Sequence, residues 1–486
     1  MFGDYVFEKT AAQYTKKMML VDADHLEEKA HYSAVFQAHG FRTVVYTDDL
    51  NFRVNHTSLL NGEEKLAILV QPGVYVPYDI RKKCREEEIS FESLFPKLNS
   101  AVLRGSKNLD LELLTLAYQT NFEEYHERKQ TEMFLRFKMY AQKNVELYLR
   151  DLYECALNQA KCVEDYGDWF ELAEKKATID VTAAEHNVDT DTSELNRMFC
   201  AYAMKNFGKL SSEINPESPV MVSSVMDYIH DHSGKAAIIV MDGMSEFDWT
   251  ILKRSFAGIC YRQSAAFAMI PSTTSISRQC LLSGKYPSQL VEPWRQSKEK
   301  IEFYECARKY GYKDNQIGYE RGYDASFSAF VKCGAVIILD IDELVHAQYQ
   351  GRIGMSNDDT VLMKQNKLAE LTKRLLQDGF DVYITADHGN TPCTGLGRLT
   401  GSGVEVETRS HKMVVLKDFA NKDSLIERFG LLEYPKYYLP KDYDYLICNV
   451  GDSLDIKGEN VMTHGGISLD EVVVPFIIVR QEDYHG

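Results

Sequence analysis

Between residues 236 and 479 the sequence contains six short runs of apolar, mostly β-branched residues, separated by longer segments. The runs are AAIIVM, AFAMI, AVIILD, DVYITA, KMVVLK and VVVPFIIV. They do not alternate apolar with polar residues, as a strand with one face in solvent would. A strand that is apolar on both faces has to be covered on both faces. The pattern therefore predicts an α/β domain with a mostly parallel sheet flanked by helices.

Two further regions precede this domain, in keeping with a chain of 486 residues. Residues 1–85 alternate short apolar runs such as KMMLV and FRTVVY with helical segments, which predicts a small α/β unit. Residues 86–215 are long, charged and helical in period, which predicts a helical region. The stretch SSEINPESP predicts a linker into the third domain, which we place at residues 216–486.

Composition restricts the class of partner and the compartment. The chain has 72 acidic and 55 basic residues, a net charge of −17, which disfavours unaided binding of long nucleic acid. No apolar run approaches the ~18–20 residues that span a bilayer, and the polar N-terminus shows no export signal. The ten cysteines form no C-x-x-C pair, which is typical of reduced thiols. We expect a cytoplasmic protein without a membrane segment.

Carboxylates and imidazoles follow three of the apolar runs and precede the last one. These residues are Asp242, Asp342, His346, Asp387, His388 and His464. Each alone could be a helix cap, a surface ion pair or a loop histidine. Because parallel strands bring their carboxyl ends to one edge of a sheet, we expect the set to converge there. Several carboxylates buried together are costly unless cations neutralise them, so the set predicts a metal centre.

The ligand types and their number indicate which ions would bind. Asp342 and His346 are four residues apart, which places them on one helix face, as in helical zinc sites. Mixed carboxylate and imidazole ligands suit Zn²⁺ or Mn²⁺ better than Ca²⁺. There are too many ligands for one ion, so we expect two ions about 3.5–4 Å apart.

A nucleophile is available in the segment Pro271-Ser272-Thr273-Thr274-Ser275, just beyond AFAMI. A hydroxyl bound to a cation loses its proton far more readily than a free one. Taken alone, a turn rich in serine and threonine is more typical of a helix N-cap. The prediction of a hydroxyl nucleophile therefore depends on the neighbouring metal ligands.

In this order, Asp, Thr, Asp-x-x-x-His, Asp-His-Gly and His, the residues resemble the alkaline phosphatase superfamily. Its PglZ branch is resembled by five sequence segments: VMDGMS, PSTTSISRQCLLSG, DIDELVH, ADHGN and THGGISLDEVVVP. This branch is known from BREX-type phage-defence systems of bacteria. The resemblance covers about residues 216–486. The first 215 residues match it only loosely.

The resemblance implies an alkaline-phosphatase-like fold and a role for each matching residue. It places Thr274 as the metal-bound nucleophile, with Thr273 as the alternative. It implies one ion held by Asp242, Thr274, Asp387 and His388, and a second held by Asp342, His346 and His464. The implied reaction is transfer at phosphorus, in which Thr274 attacks and water then cleaves a phosphothreonine.

Three further residues are weaker candidates for substrate binding. Arg278, one helical turn after Thr274, could contact phosphate oxygens or could instead pair with a carboxylate. Arg409 and His411 could line the pocket. The glycine-rich stretch at residues 395–403 lacks the spacing of a phosphate-binding loop, so we expect it to form a rim of the site.

We therefore predict a dimetal phosphodiesterase or phosphatase that acts on a nucleotide or oligonucleotide in bacterial antiviral defence. Zinc is the expected ion, with manganese and magnesium as alternatives. Residues 1–215 would bind protein partners of the defence system. The alternatives are a phosphomonoesterase and a catalytically weak, metal-binding interaction subunit. A sulfatase is disfavoured because it would need Cys or Ser in place of Thr274.

Overall fold

The computed structural model describes residues 2–106, 109–399, 404–406, 411–417 and 422–482. The chain divides into two compact units, Met1–Arg150 and Asp151–Gly486. The boundary between them lies within one long helix. None of the described helices has the length and apolar content needed to cross a bilayer.

The first unit is built around a four-stranded parallel sheet with strand order β2-β3-β1-β4. Its strands are β1 (Lys17–Asp22), β2 (Phe41–Tyr46), β3 (Lys65–Val70) and β4 (Arg85–Ile89). Its helices are α1 (Phe2–Lys9), α2 (Leu26–Ala30), α3 (Ser33–Ala38), α4 (Asp49–Asn61), α5 (Tyr78–Arg81), α6 (Phe91–Leu94), α7 (Ser100–Gly105), α8 (Leu111–Thr120) and α9 (Arg128–Met133), followed by the boundary helix α10 (Gln142–Lys161).

Local sequence explains how the helices of this unit begin. The side chain of Asp48 accepts a hydrogen bond from Asn51 N at 2.8 Å and caps α4. Asp22, at the end of β1, accepts bonds from the backbone N–H groups of Leu26 and Glu27 in α2. Acidic residues at these strand ends therefore satisfy helix N-termini.

The second unit contains thirteen strands among its described residues. They are β5 (Ala236–Met241), β6 (Arg262–Phe267), β7 (Ile317–Arg321), β8 (Cys333–Ile338), β9 (Asp381–Thr385), β10 (Thr391–Gly395), β11 (Val404–Val406), β12 (Met413–Leu416), β13 (Leu432–Glu433), β14 (Asp444–Ile447), β15 (Asp452–Ser453), β16 (Asn460–Thr463) and β17 (Val473–Val479). Its helices are α11 (Asp168–His186), α12 (Ser193–Asn206), α13 (Val225–His232), α14 (Glu246–Leu252), α15 (Thr274–Ser283), α16 (Glu299–Lys309), α17 (Asp340–Ala347), α18 (Gly351–Gln365), α19 (Lys367–Gln377), α20 (Lys422–Phe429) and α21 (Leu469–Val472).

The main sheet of this unit has six strands in the order β6-β17-β9-β5-β8-β7. Strands β9, β5, β8 and β7 are parallel neighbours, and β17 is antiparallel to both β6 and β9. Every residue of β5, β8 and β17 is buried, as the continuous apolar runs predict. The predicted mostly parallel α/β fold is confirmed.

One apolar run has a different place from the one predicted. KMVVLK forms β12, which belongs to a separate antiparallel sheet with order β11-β12-β14-β13. This sheet has its own apolar cluster, which includes Val414, Leu416 and Leu446. A run that is buried on both faces by a local cluster has the same pattern as a strand of the main sheet.

The three-region division at residues 85 and 215 stays a prediction. The helices of residues 86–215 belong in part to the first unit and in part to the second.

Candidate metal centre

The three central strands of the main sheet carry the predicted carboxylates to one edge. Asp242 directly follows β5, Asp342 lies in the first turn of α17 after β8, and Asp387 follows β9. Since β9, β5 and β8 are neighbours, their carboxyl ends are adjacent. The backbone also connects two of these ends, because Asp342 N donates to Asp242 O at 3.1 Å.

The first group of side chains consists of Asp242, Asp387 and His388, each with one ligand-type atom within 4.8 Å of the others. All three residues are buried. His388 Nε2 lies 3.6 Å from Asp242 Oδ1 and 3.8 Å from Asp387 Oδ2. The predicted ligands of the first ion are therefore brought together.

Thr274 lies at the edge of this group as the first residue of α15. Its Oγ1 is 2.9 Å from His388 Nε2. Thr273, the alternative nucleophile, is the N-cap residue of α15, and its hydroxyl is buried with no hydrogen-bond partner. Of the two hydroxyls, only that of Thr274 is hydrogen-bonded to a member of the group in the described part of the chain.

The second group consists of Asp342, His388 and His464. His464 Nε2 lies 3.5 Å from Asp342 Oδ1, and the rings of His464 and His388 stack at 3.9 Å between centroids. His346 joins this group from α17, with its Nε2 3.4 Å from Asp342 Oδ1, and its side chain is 40% exposed. With Thr274 and His346, all seven residues predicted as ligands therefore lie in one continuous cluster of side chains. His388 belongs to both groups.

Hydrogen bonds on the far side of two imidazoles orient them toward the carboxylates. His388 Nδ1 is 3.0 Å from Gly389 O, and His464 Nδ1 is 2.9 Å from Ser272 O. A carbonyl oxygen only accepts, so each Nδ1 carries the hydrogen and each Nε2 has its lone pair on the side of the carboxylates. The lone pair of His388 Nε2 accepts from the hydroxyl of Thr274. Metal-binding histidines have the same arrangement, in which the second nitrogen donates to a backbone carbonyl.

The carboxylate oxygens that face these lone pairs are buried without hydrogen-bond partners. They are Asp242 Oδ1, Asp342 Oδ1 and Asp387 Oδ2. The other oxygen of Asp387 is satisfied, because it accepts from Gly243 N and His388 N. Buried oxygens without partners are costly, and imidazole lone pairs cannot donate to them. Divalent cations would satisfy both kinds of atom, so the residues present fit a metal centre.

The pKa values of these groups reflect the same crowding. Burial and the neighbouring Asp387 raise the pKa of Asp242 well above its ordinary value, although Arg278 opposes the rise. Burial also raises the pKa of Asp387 to about 6. Burial and the adjacent His388 lower the pKa of His464 to about 4, so this imidazole is neutral at pH 7, as a metal ligand must be.

Arg278 is bonded to carboxylates, the alternative that the sequence left open. Its side chain is fully buried, and Nη1 donates to Asp242 Oδ2 at 2.5 Å. Its Nε donates to Glu299 Oε2 at 2.6 Å. The guanidinium therefore borders the first Asp/His group on the side of Asp242.

The structure gives no contact between the other two candidates for substrate binding, Arg409 and His411, and these groups among the described residues. Arg409 lies outside the described residues. His411 is exposed, and its Nδ1 lies 2.6 Å from Asp455 Oδ1. Their roles in substrate binding stay predictions.

A buried polar network behind the Asp387–His388 turn was not predicted. Asn390 Nδ2 donates to Gly243 O at 2.9 Å and to Asp248 Oδ2 at 2.7 Å. Arg352 donates to both the side-chain and the backbone oxygen of Asn390, and it also pairs with Asp470. Asn390, a polar residue close to His388 in the sequence, could have indicated such a network. Its partners could not be identified, because they are 38 or more residues away in the sequence.

The second unit therefore has a six-stranded sheet with two Asp/His groups at the carboxyl edge of its parallel strands, where sites form in open α/β sheets. Within this unit, residues 334–479 match the family model described as "BREX system PglZ alkaline phosphatase-like domain". The matched range contains Asp342, Asp387 and His464, whereas Asp242 and Thr274 precede it.

Solved structures that match part of this chain include murine ectonucleotide pyrophosphatase/phosphodiesterase 5. The identity is 12%, the TM-score is 0.36, and the match covers 51% of this chain and 88% of that chain. Another is phosphonoacetate hydrolase from Sinorhizobium meliloti 1021, in complex with phosphonoformate. The identity is 13%, the TM-score is 0.34, and the match covers 51% of this chain and 90% of that chain. No curated protein matched the sequence.

Proposed function

We propose that the chain is a dimetal phosphohydrolase in which Thr274 is the nucleophile. Asp242, Thr274, Asp387 and His388 would hold one divalent ion. Asp342, His346 and His464 would hold the second. Zinc suits this mixed carboxylate and imidazole set, with manganese and magnesium as alternatives.

The observation that carries the proposal is the set of buried carboxylate oxygens without partners. Asp242 Oδ1, Asp342 Oδ1 and Asp387 Oδ2 lie beside imidazole lone pairs, and two imidazoles have the tautomer that metal binding requires. A purely structural cluster would be expected to fill these positions with hydrogen-bond donors.

The position of Thr274 supports its role as the attacking group. Its hydroxyl is 2.9 Å from His388 Nε2, and it begins a helix of ten residues. The N-terminus of a helix is electropositive and favours a phosphate group. The divalent ions would, when bound, stabilise negative charge on the phosphate oxygens.

The preferred substrate in this proposal is a phosphodiester at the end of a nucleotide or oligonucleotide. A phosphomonoester carries about −1.5 to −2 charges, more than a diester. The guanidinium nearest Thr274 in sequence, that of Arg278, already pairs with two carboxylates. Its Nε and Nη1 are occupied in these pairs, which leaves only Nη2 without a partner for the additional charge, and this supports a diester.

The proposed setting is the cytoplasm of a bacterium, in antiviral defence. The description of the matching family model names the BREX system, which supports a defence role. All ten cysteines lie in the described ranges and all are free thiols, which supports a reducing compartment. Residues 1–215 would provide surfaces for protein partners.

Hydrolysis assays on the full chain test this proposal. Metal is removed with a chelator and replaced with Zn²⁺, Mn²⁺ or Mg²⁺, and turnover is measured on bis-p-nitrophenyl phosphate and p-nitrophenyl phosphate. We expect at least one ion to restore activity, with the diester as the better substrate. Thr274→Ala should lower kcat by about 10³-fold or more while metal still binds.

Thr273→Val is the matched control, since it removes the neighbouring hydroxyl and should retain far more activity than Thr274→Ala. If no ion restores turnover while ions still bind, the chain is a metal-binding interaction subunit instead. If Thr273→Val is inactive and Thr274→Ala is active, the nucleophile is Thr273.

A further inference from the structure

We propose that Glu299 is a positioning residue of the metal centre and that it acts through Arg278. Neither the family match nor the sequence pattern assigns a role to Glu299. The inference rests on the proposed binding of a divalent ion by Asp242 and Asp387.

A continuous set of buried ion pairs connects Glu299 to the proposed ligands. Arg278 lies between Glu299 and Asp242: its Nε is 2.6 Å from Glu299 Oε2, and its Nη1 is 2.5 Å from Asp242 Oδ2. The same Nη1 is 3.7 Å from Asp387 Oδ2. The side chains of these four residues are at most 4% exposed. Pairs that are this well shielded from water interact much more strongly than surface pairs.

The second oxygen of Glu299 is held by a different part of the fold. Glu299 is the first residue of α16, and its Oε1 accepts from the hydroxyl of Tyr319 at 2.6 Å. Arg321 Nη2 also donates to this oxygen. Tyr319 and Arg321 belong to β7, the edge strand of the main sheet. Helix α16 and strand β7 therefore fix the carboxylate together.

This arrangement determines which oxygens of the centre remain available. Arg278 uses Nε for Glu299 and Nη1 for Asp242 Oδ2. Its Nη2, Asp242 Oδ1 and Asp387 Oδ2 are buried without hydrogen bonds, so the guanidinium occupies neither of these two oxygens. Without the charge of Glu299, the guanidinium would have only the two ligand carboxylates as partners. It would then compete with the divalent ion for them.

The test is metal affinity of the Glu299→Gln variant. The substitution removes one charge and nearly preserves the shape of the side chain. The metal-stripped full chain is titrated with Zn²⁺ by calorimetry, and kcat on bis-p-nitrophenyl phosphate is measured at saturating Zn²⁺. We expect the dissociation constant to rise about 10–100-fold, as for other residues that orient metal ligands, with kcat at saturation changed much less.

Glu302→Gln is the matched control on the same helix. Glu302 is also buried, with its side chain 7% exposed, and it pairs with Lys285 rather than with Arg278. This variant should bind Zn²⁺ as the parent does. Tyr319→Phe removes a single donor to Glu299 and should weaken Zn²⁺ binding in the same direction by a smaller factor.

Equal Zn²⁺ affinity for the Glu299→Gln, Tyr319→Phe and Glu302→Gln variants would overturn the proposal while leaving the proposed function intact. A parent chain that binds no divalent ion would overturn both. If Glu299→Gln does not fold, Tyr319→Phe decides: weaker Zn²⁺ binding than in Glu302→Gln supports the proposal, and unchanged binding refutes it.

Discussion

Glu246 is a buried carboxylic acid whose removal should make the protein more stable at high pH. It begins α14 and is 5% exposed, and its Oε2 accepts from Gln263 Nε2 at 3.2 Å. Burial, followed by the negative charge of Glu174, raises its pKa from 4.5 to about 8. The folded chain therefore holds a proton on this group at pH values where the unfolded chain has released it.

The sign and size of the effect follow from this difference. Between pH 4.5 and 8 the native state binds more protons than the unfolded state, so its stability falls as pH rises. At about 1.36 kcal/mol per pKa unit, Glu246 lowers the free energy of unfolding by about 5 kcal/mol above pH 8, relative to its value below pH 4.5. For a unit that spans Asp151–Gly486, this corresponds to about 7 °C in Tm.

The assay is thermal unfolding of the full chain at pH 5, 7 and 9, with Zn²⁺ held constant. Glu246→Gln should melt close to the parent at pH 5 and above it at pH 9, because Gln carries no charge to bury. Glu174→Gln, which removes the half-exposed neighbour, should reproduce only a small part of the gain. Parallel pH profiles for Glu246→Gln and the parent would refute the reasoning.

Two further predictions concern the network behind the Asp387–His388 turn. Asp470 accepts from Lys176 Nζ at 2.8 Å and pairs with Arg352 at 3.2 Å, and both ion pairs are largely buried. Asp470→Asn should therefore lower the free energy of unfolding by about 3–5 kcal/mol and lower Tm by several degrees in scanning calorimetry. An unchanged Tm would contradict this. A Cβ added at Gly389 would lie 2.0 Å from Asp470 O, so Gly389→Ala should displace His388 and weaken Zn²⁺ binding at least about tenfold in a competition titration. Full Zn²⁺ affinity in Gly389→Ala would show that the turn tolerates the shift.

The fold and the convergence of the candidate ligands could be predicted from sequence because both depend on local patterns. An apolar run that ends in Asp242 or Asp387 indicates a buried strand and a polar group at its end at the same time. Parallel topology then brings those ends together without any knowledge of loop geometry. The prediction for KMVVLK was wrong because burial on both faces does not reveal which sheet covers a strand.

The surroundings of the ligands could not be predicted in the same way. The partners of Arg278 are Asp242 and Glu299, 36 and 21 residues away, and no periodicity connects them. The same holds for Asn390 and Arg352, which meet because α18 packs against α14 beside the turn. These contacts depend on three-dimensional packing of helices rather than on spacing along the chain.

The number of divalent ions bound per chain tests the central claim most directly. The full chain is stripped with a chelator, equilibrated with Zn²⁺ by dialysis and analysed by mass spectrometry of the metal. We expect about two ions per chain, and clearly fewer in the Asp387→Asn/His388→Ala double variant. A parent chain without bound ions, or a double variant that retains the full complement, would contradict the account.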